Sequence, residues 1–379
     1  MGHNRTIKAG AERDAPAFCV PNGEKIFGIP FVLTYFYLTF AFRMKTLLFI
    51  LLSSVTPYLT RVFEYRPAPG QFINTIPTWE AGDTAEDMAL KAQDALADNE
   101  GGMVSLGSWG GYIVFGFDHE IINVPGAYDL KILGNATYAM SNPNDTTALG
   151  GSSEPGVVMV SRDDNGNGLP DDKWYELAGS EESNPLTRFK YKVTYYRPAD
   201  NAPADQYILW RDNEGNQGYL PKNAYHTQNY CPEWISDNSM SFTGTRLRDN
   251  GKDESGKGSY YVLYCFDWGY ADNHPNVVAD YPERHASEFD IDWAVNSKRE
   301  SVHLPGIHFV KVYSGVLQVC GWLGETSTEI TNAYDLHPNA QPTDLASPVK
   351  STQPVKIMQD GQLVILRQGV RYNAQGQRL

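Results

Sequence analysis

Short runs of β-branched and aromatic residues, each bounded by Gly, Pro, Asn or Asp, fill the chain from about residue 110 to 329. The clearest are YIVFGF (112–117), DLKIL (129–133), GVVMV (156–160), KYKVTYY (190–196), SYYVLYCF (259–266), FDIDWAV (289–295) and IHFVKVYSGV (307–316). Several alternate apolar with polar positions, which in an extended chain sends successive side chains to opposite faces, so they predict strands. One segment keeps a different rhythm. In DTAEDMALKAQDALADNEGG, residues Ala85, Met88, Ala92, Ala95 and Leu96 share one helical face. Asp83 and Glu86 read as a capping box at its start, and Gly101-Gly102 ends it. Many short strands and a single helix predict a mainly β fold, a large antiparallel β-sandwich of jelly-roll type with one short N-terminal helix.

The flanks read differently. Two apolar runs, residues 26–42 and 46–55, are separated by Arg43-Met44-Lys45. The second has a Lys n-region, a short apolar core and then Ser53 and Ser54, so it reads as a signal peptide starting at Met44. The rival reading is a membrane anchor at 26–42, a run short for a span and broken by Gly28 and Pro30. Cys19 lacks an upstream apolar run, so no lipobox is present. Residues 337–353 are rich in Pro, Ser, Thr and Asn and read as a linker. The end, 354–379, carries a three-strand pattern with turns at Asp360-Gly361 and Gln368-Gly369. The expected organisation is therefore 1–61 as over-extended start plus signal peptide, 62–336 as the sandwich, 337–353 as linker and 354–379 as a C-terminal sorting or anchoring tail.

Charge narrows the partners. The formal net charge is −14 over 379 residues; residues 1–60 carry +3, which leaves −17 on the remainder. Such a surface repels phosphate backbones and attracts divalent cations, so nucleic acid is not an expected partner. Four cysteines, Cys19, Cys231, Cys265 and Cys320, form no CxxC pair and have no His at zinc-ligand spacing. If Cys19 leaves with the leader, three remain: one optional disulfide, or three buried thiols.

Three groups of residues bear on chemistry. In SRDDNGNGLPDDKWYE (161–176), oxygen-bearing side chains fall at positions 1, 3, 5 and 9 counted from Asp163: Asp163, Asn165, Asn167 and Asp171. Gly168 stands at position 6, where a calcium loop turns sharply, and Asp172 follows. Trp174 occupies position 12 in place of the bidentate Glu of an EF-hand. The loop predicts a structural Ca2+ site; an Asn/Gly-rich hairpin with solvated acids is the alternative. The second group is Asp118, Asp129, Glu154, Asp290, Asp292, Glu325 and Glu329 at strand ends, which read as solvated or cation-binding acids or as an acid–base pair. Asp290 and Asp292, two apart in a predicted strand, share one face. The third is the poorly periodic 210–234 span, where Trp210, Tyr219, Asn223, His226, Tyr230 and Trp234 are candidate ligand-binding residues, or a long connection pinned by its own aromatics. No GxSxG, HExxH, P-loop or GxGxxG motif is present, and the histidines are dispersed.

Nearly all of 62–336 resembles a family of Bacteroidetes cell-surface proteins often labelled PKD-like surface proteins. The likeness runs through EYRPAPGQFINT (64–75), GGYIVFGFDHEIINVPGAYDLKILGNA (110–136), SSEPGVVMVSRDDNGNGLPDDKWYELAGS (152–180), GYADNHPN (269–276), FDIDWAV, HLPGIHFVKVYSGV and GWLGETSTEI. The resemblance implies a secreted jelly-roll sandwich. It also implies an association with outer-membrane uptake systems, including those for corrinoids. Relatives are often lipoproteins, and this chain departs from them in lacking the lipobox Cys. Its tail KIMQDGQLVILRQGVRYNAQGQRL is similar to type IX secretion sorting tails. The expected protein is an exported, calcium-stabilised surface binding protein that captures a small-molecule or glycan ligand for outer-membrane transport components, with no transmembrane span in the mature chain. A structural adhesin and a calcium-dependent glycan hydrolase are the alternatives.

Overall fold

In the computed structural model the described residues are 55–139, 149–276 and 287–341, together with the backbone of 355–359, 362–367 and 370–372. The expected signal peptide, the 26–42 run, Cys19, most of the expected linker and both expected tail turns lie outside them. In chain order the first strands are β1 (Arg61–Arg66), β2 (Val104–Ser105), β3 (Tyr112–Ile122), β4 (Leu130–Leu133), β5 (Gly150–Gly151) and β6 (Gly156–Ser161). They are followed by β7 (Trp174–Leu177), β8 (Arg188–Tyr196), β9 (Ile208–Asp212), β10 (Gln217–Leu220), β11 (Ser239–Arg246), β12 (Gly251–Asp253) and β13 (Tyr261–Tyr264). Then come β14 (Glu288–Phe289), β15 (Ala294–Val295), β16 (Gly306–Ser314), β17 (Glu329–Ile330) and β18 (Asn332–Asp335). Among the described residues the fold is mainly β, its paired strands antiparallel and its one α-helix near their N-terminal end, as the sequence pattern predicts.

The largest sheet has six strands in the order β1-β3-β16-β6-β7-β15. Its centre is apolar: Ile113 and Phe115 of β3, Val310 and Val312 of β16, and Val158 and Val160 of β6 belong to one buried cluster. Helix α1 (Ala85–Leu96) closes that cluster with Met88, Ala92 and Leu96, the i, i+4, i+8 stripe of its sequence. A second sheet, β10-β9-β8-β11, carries its own core, in which Trp109, Tyr191, Tyr195 and Phe242 pack edge to face. The tail strands, at 355–359, 362–367 and 370–372, form a separate antiparallel sheet of three, as expected.

Two local expectations are corrected. The helix is capped by Thr84 and Asp87, which exchange hydrogen bonds with each other's backbone, and not by Asp83 and Glu86. Asp83 instead accepts from the Glu80 backbone N–H and pairs with Lys91 at 2.6 Å. FDIDWAV is not one strand. Asp290 accepts a bond from the Asp292 N–H, curling Ile291–Trp293 into a 3-10 turn between β14 and β15, so Asp290 and Asp292 do not share a strand face. Cys231, Cys265 and Cys320 form no disulfide. Among the described residues no helix is long and apolar enough to cross a membrane.

Trp109 is fully buried and its indole N–H donates to the Thr245 carbonyl at 3.3 Å. Trp109→Ala is expected to cost about 3–5 kcal/mol in urea unfolding, whereas Leu90→Ala, on the exposed side of α1, should stay within about 0.5 kcal/mol. Equal losses would place the core elsewhere.

Candidate functional site

The Asp163 loop joins β6 to β7 and is curled by its own side chains. Asp163 accepts from the backbone N–H groups of Asn167 (3.0 Å) and Gly168 (2.9 Å), Asn165 from Asn167 (2.9 Å) and Asn167 from Leu169 (2.8 Å). Asp172 accepts from the Asp164 N–H, and the Asn165 and Asn167 amides donate to Asp171. Gly166 and Gly168 have φ of 71° and 72°, a backbone region that β-carbons disfavour, which is why glycine stands at both turns.

The aromatic span 210–234 is dispersed by the fold. Trp210 and Tyr219, on neighbouring strands β9 and β10, line a shallow depression of about 350 Å³. Tyr230 is fully buried, its hydroxyl accepting from the Asn223 N–H and donating to the His226 carbonyl. The Asn223 amide donates to the Trp322 carbonyl at 2.6 Å. Trp234 stacks on Tyr65, ring centres 5.8 Å apart, against the main core. His226 alone of the six lines a second, roomier cavity, with its ring edge-on to Phe72 at 4.8 Å.

That cavity, of about 700 Å³, is built from segments far apart in sequence. Phe72 and Gln71 follow β1, Glu154 precedes β6, Tyr225 and His226 come from the long connection after β10, and Tyr260 and Tyr261 stand at the start of β13. Trp322 and Glu325 come from the stretch between β16 and β17, and Glu329 opens β17. Its lining combines the rings of Phe72, Tyr225, His226, Tyr260, Tyr261 and Trp322 with three carboxyl-bearing residues, Glu154, Glu325 and Glu329. Among the described residues its lining contains no Lys or Arg.

Behind Glu154 and Glu329 stands Asp272, and carboxylate oxygens of the three lie within 4.8 Å of one another. Asp272 is fully buried and accepts three backbone N–H bonds, from Asn135 (2.7 Å), Ala136 (2.8 Å) and Glu329 (3.0 Å). Glu154 accepts from the Ser327 N–H at 3.1 Å. Glu329 accepts from the Ser105 hydroxyl at 2.9 Å; Ser105 therefore receives the Ser327 hydroxyl (2.7 Å), whose oxygen takes the Gly107 N–H (3.0 Å). Burial raises the pKa of all three, and their mutual repulsion adds to the rise for Glu154 and Asp272.

Glu325 is only 6% exposed. One of its oxygens takes the Gln71 N–H at 2.5 Å, and the other, Oε2, has no partner. Burial pushes its pKa up to about 8. Gln71, 3% exposed, likewise has an unpartnered side-chain oxygen, Oε1. Glycine permits this close packing: a β-carbon on Gly70 would sit 2.8 Å from the Glu325 carboxylate.

Sequence reasoning named Glu154, Glu325 and Glu329 but missed Asp272, Gln71, Tyr261 and Trp322. The available signal was ETSTE (325–329), five polar residues in succession, all of them buried. No protein-family model matches the chain, and no curated protein matches it.

Glu325 sets a pH dependence. Its folded pKa of about 8 lies above its ordinary 4.5, so the folded state keeps a proton that the unfolded chain releases. Stability is therefore full below about pH 4.5 and declines toward pH 8, at up to about 1.4 kcal/mol per pH unit for one such group. Urea unfolding in EDTA from pH 5 to 8 should show this decline, and Glu325→Gln should make it shallower. Parallel profiles for the two proteins would mean that Glu325 is not buried as a neutral acid.

Proposed function

We propose that the chain is an exported, calcium-stabilised surface protein that captures a small ligand in the cavity beneath Trp322, Tyr261 and Tyr225. The observation that carries this reading is the pairing, in the lining of one cavity, of aromatic rings with buried side-chain oxygens that have no protein partner. A volume of about 700 Å³ suits a small molecule, since such sites run to roughly 300–1,000 Å³. Aromatic faces take the apolar faces of sugar rings, Gln71 Oε1 offers a ligand hydroxyl an acceptor, and the protonated Glu325 carboxyl offers it a donor. The chemistry therefore favours a glycan over a corrinoid. Export rests on the Met44 leader and the tail, and delivery to outer-membrane transport components on the family resemblance alone. Calcium enters at Asp163, Asn165, Asn167, Asp171 and Asp172, where ionised and amide oxygens are gathered by a tightly curled backbone.

Glycan hydrolysis is the second reading, favoured by one observation. Glu325, protonated up to about pH 8 with a free oxygen in the cavity, has the character of a general acid. Turnover of aryl glycosides abolished by Glu325→Gln would establish it.

Binding is tested by thermal shift of the full chain in calcium buffer against glycans and corrinoids, because a ligand that binds only the native state raises its melting point. Trp322 is 51% exposed, so Trp322→Ala should fold normally yet bind the hit more weakly by about 2 kcal/mol, roughly thirtyfold. A flat panel, or an unchanged affinity in Trp322→Ala and Tyr261→Ala alike, would move the function to a structural surface component. Asp163→Asn should lower the melting point in calcium but not in EDTA; equal shifts in both would remove calcium from the loop.

A further inference from the structure

We infer that Glu154, Asp272 and Glu329 form a second, buried site for a hard divalent cation of the calcium class, at the floor of the cavity and apart from the Asp163 loop. The three come from unrelated places: the connection ahead of β6, the loop after Tyr270, and β17. Among the described residues they are the one group of three such side chains whose ligand atoms converge to within 4.8 Å. Calcium binds oxygen at about 2.3–2.6 Å, so ligands on opposite sides of one ion stand up to about 5 Å apart. A set made wholly of carboxylates selects a hard ion over zinc or copper.

The surroundings treat these groups as acceptors. Asp272 takes three N–H bonds, Glu154 takes one, and a relay from the Gly107 N–H through Ser327 and Ser105 ends by donating to Glu329. Donors fixed in that sense orient carboxylates from behind, as outer-shell partners do around a bound metal. No Lys or Arg among the described residues pairs with any of the three, so the negative charge that this arrangement favours has no counter-ion within the protein. Buried carboxylates without one are strongly disfavoured.

A separate observation points into the same cavity. Glu325 Oε2 and Gln71 Oε1, each more than nine-tenths buried, have no donor from the protein. Both residues line the same cavity as Glu154 and Glu329, and the water shell of a cation at the floor supplies partners for such oxygens. The cation faces the cavity through Glu154 and Glu329, which line it, with Asp272 behind. This inference does not depend on the ligand reading: a cation at the floor stands whether or not a glycan binds above it.

The test uses the full chain stripped with chelator. Crystals soaked in terbium or manganese should give an anomalous peak between Glu154, Asp272 and Glu329, a result that needs no variant. Equilibrium dialysis with calcium should then show this site weakened more than roughly 100-fold in Glu329→Gln and in Glu154→Gln, beyond the 10–100-fold usual for an outer-shell change. Asp163→Asn should leave the floor peak in place. No peak at the floor at saturating ion, with calcium binding unchanged in both Gln variants, would overturn the site and leave three acids that share protons. A flat ligand panel with the floor peak present would instead sink only the capture reading.

Discussion

A carboxylate taken out of water has to be met by donors or by a cation, and at Asp272 the fold meets that demand with backbone. The side chain sits at a residue with φ of 51°, a left-handed turn that aspartate tolerates better than most residues. It gathers N–H groups from the strand-end turn at 135–136 and from β17. Approach is so close that a β-carbon on Gly134 would lie 2.1 Å from its carboxylate oxygen. Asp272 thereby ties the end of β4 to the segment carrying Glu329, and that segment in turn carries Glu325. The cavity floor exists because these pieces are held together by one acid.

The same constraint explains why the floor is polar where the centre of the largest sheet is apolar. Residues 325–329 are buried, yet none is apolar. Each meets a specific partner: Gln318 donates to Thr326, Ser327 relays toward Glu329, and Thr328 donates to the Glu154 carbonyl. Such a network is stable only when its members are satisfied together. The unpaired oxygens of Glu325 and Gln71 are therefore the places where the protein's own bonding stops.

Much of the β architecture was legible because strand formation is written locally. The alternation in 190–196, and the Met88, Ala92, Leu96 stripe, fix which faces turn inward whatever their partners are. Where a local polar side chain competed with the backbone, the reading slipped: Thr84 outbid Asp83 for the helix cap, and Asp290 curled its own strand. The site was less legible for a different reason. Asp272 lies in GYADNHPN, which reads as a turn, and nothing near it in sequence signals Glu154 or Glu329. Their meeting is a product of sheet topology, separated by 118 residues in one case and 57 in the other. The aromatic span misled for the converse reason. Its rings are close in sequence, but strand pairing sends Trp210 and Tyr219 to one surface, Trp234 to the core and His226 to the cavity.

The two proposed cation sites answer opposite physical problems. In the Asp163 loop the oxygens are solvated and already hold the loop's own N–H groups, so an ion there adds to an arrangement that is satisfied without it. Its contribution is local order. At the floor the carboxyls are buried together, and burial penalises their charge. An ion there replaces protons and removes repulsion, so its energy is coupled to folding of β17 and of the 134–136 turn. Because two of its ligands face the cavity, it is also coupled to whatever the cavity holds. A cation at the floor converts a neutral, proton-sharing base into a charged centre that attracts ligand oxygen, while the aromatic wall holds the apolar remainder of the same molecule. The cavity's two halves then act on different parts of one ligand, which is what selectivity for an amphipathic, hydroxyl-bearing molecule requires.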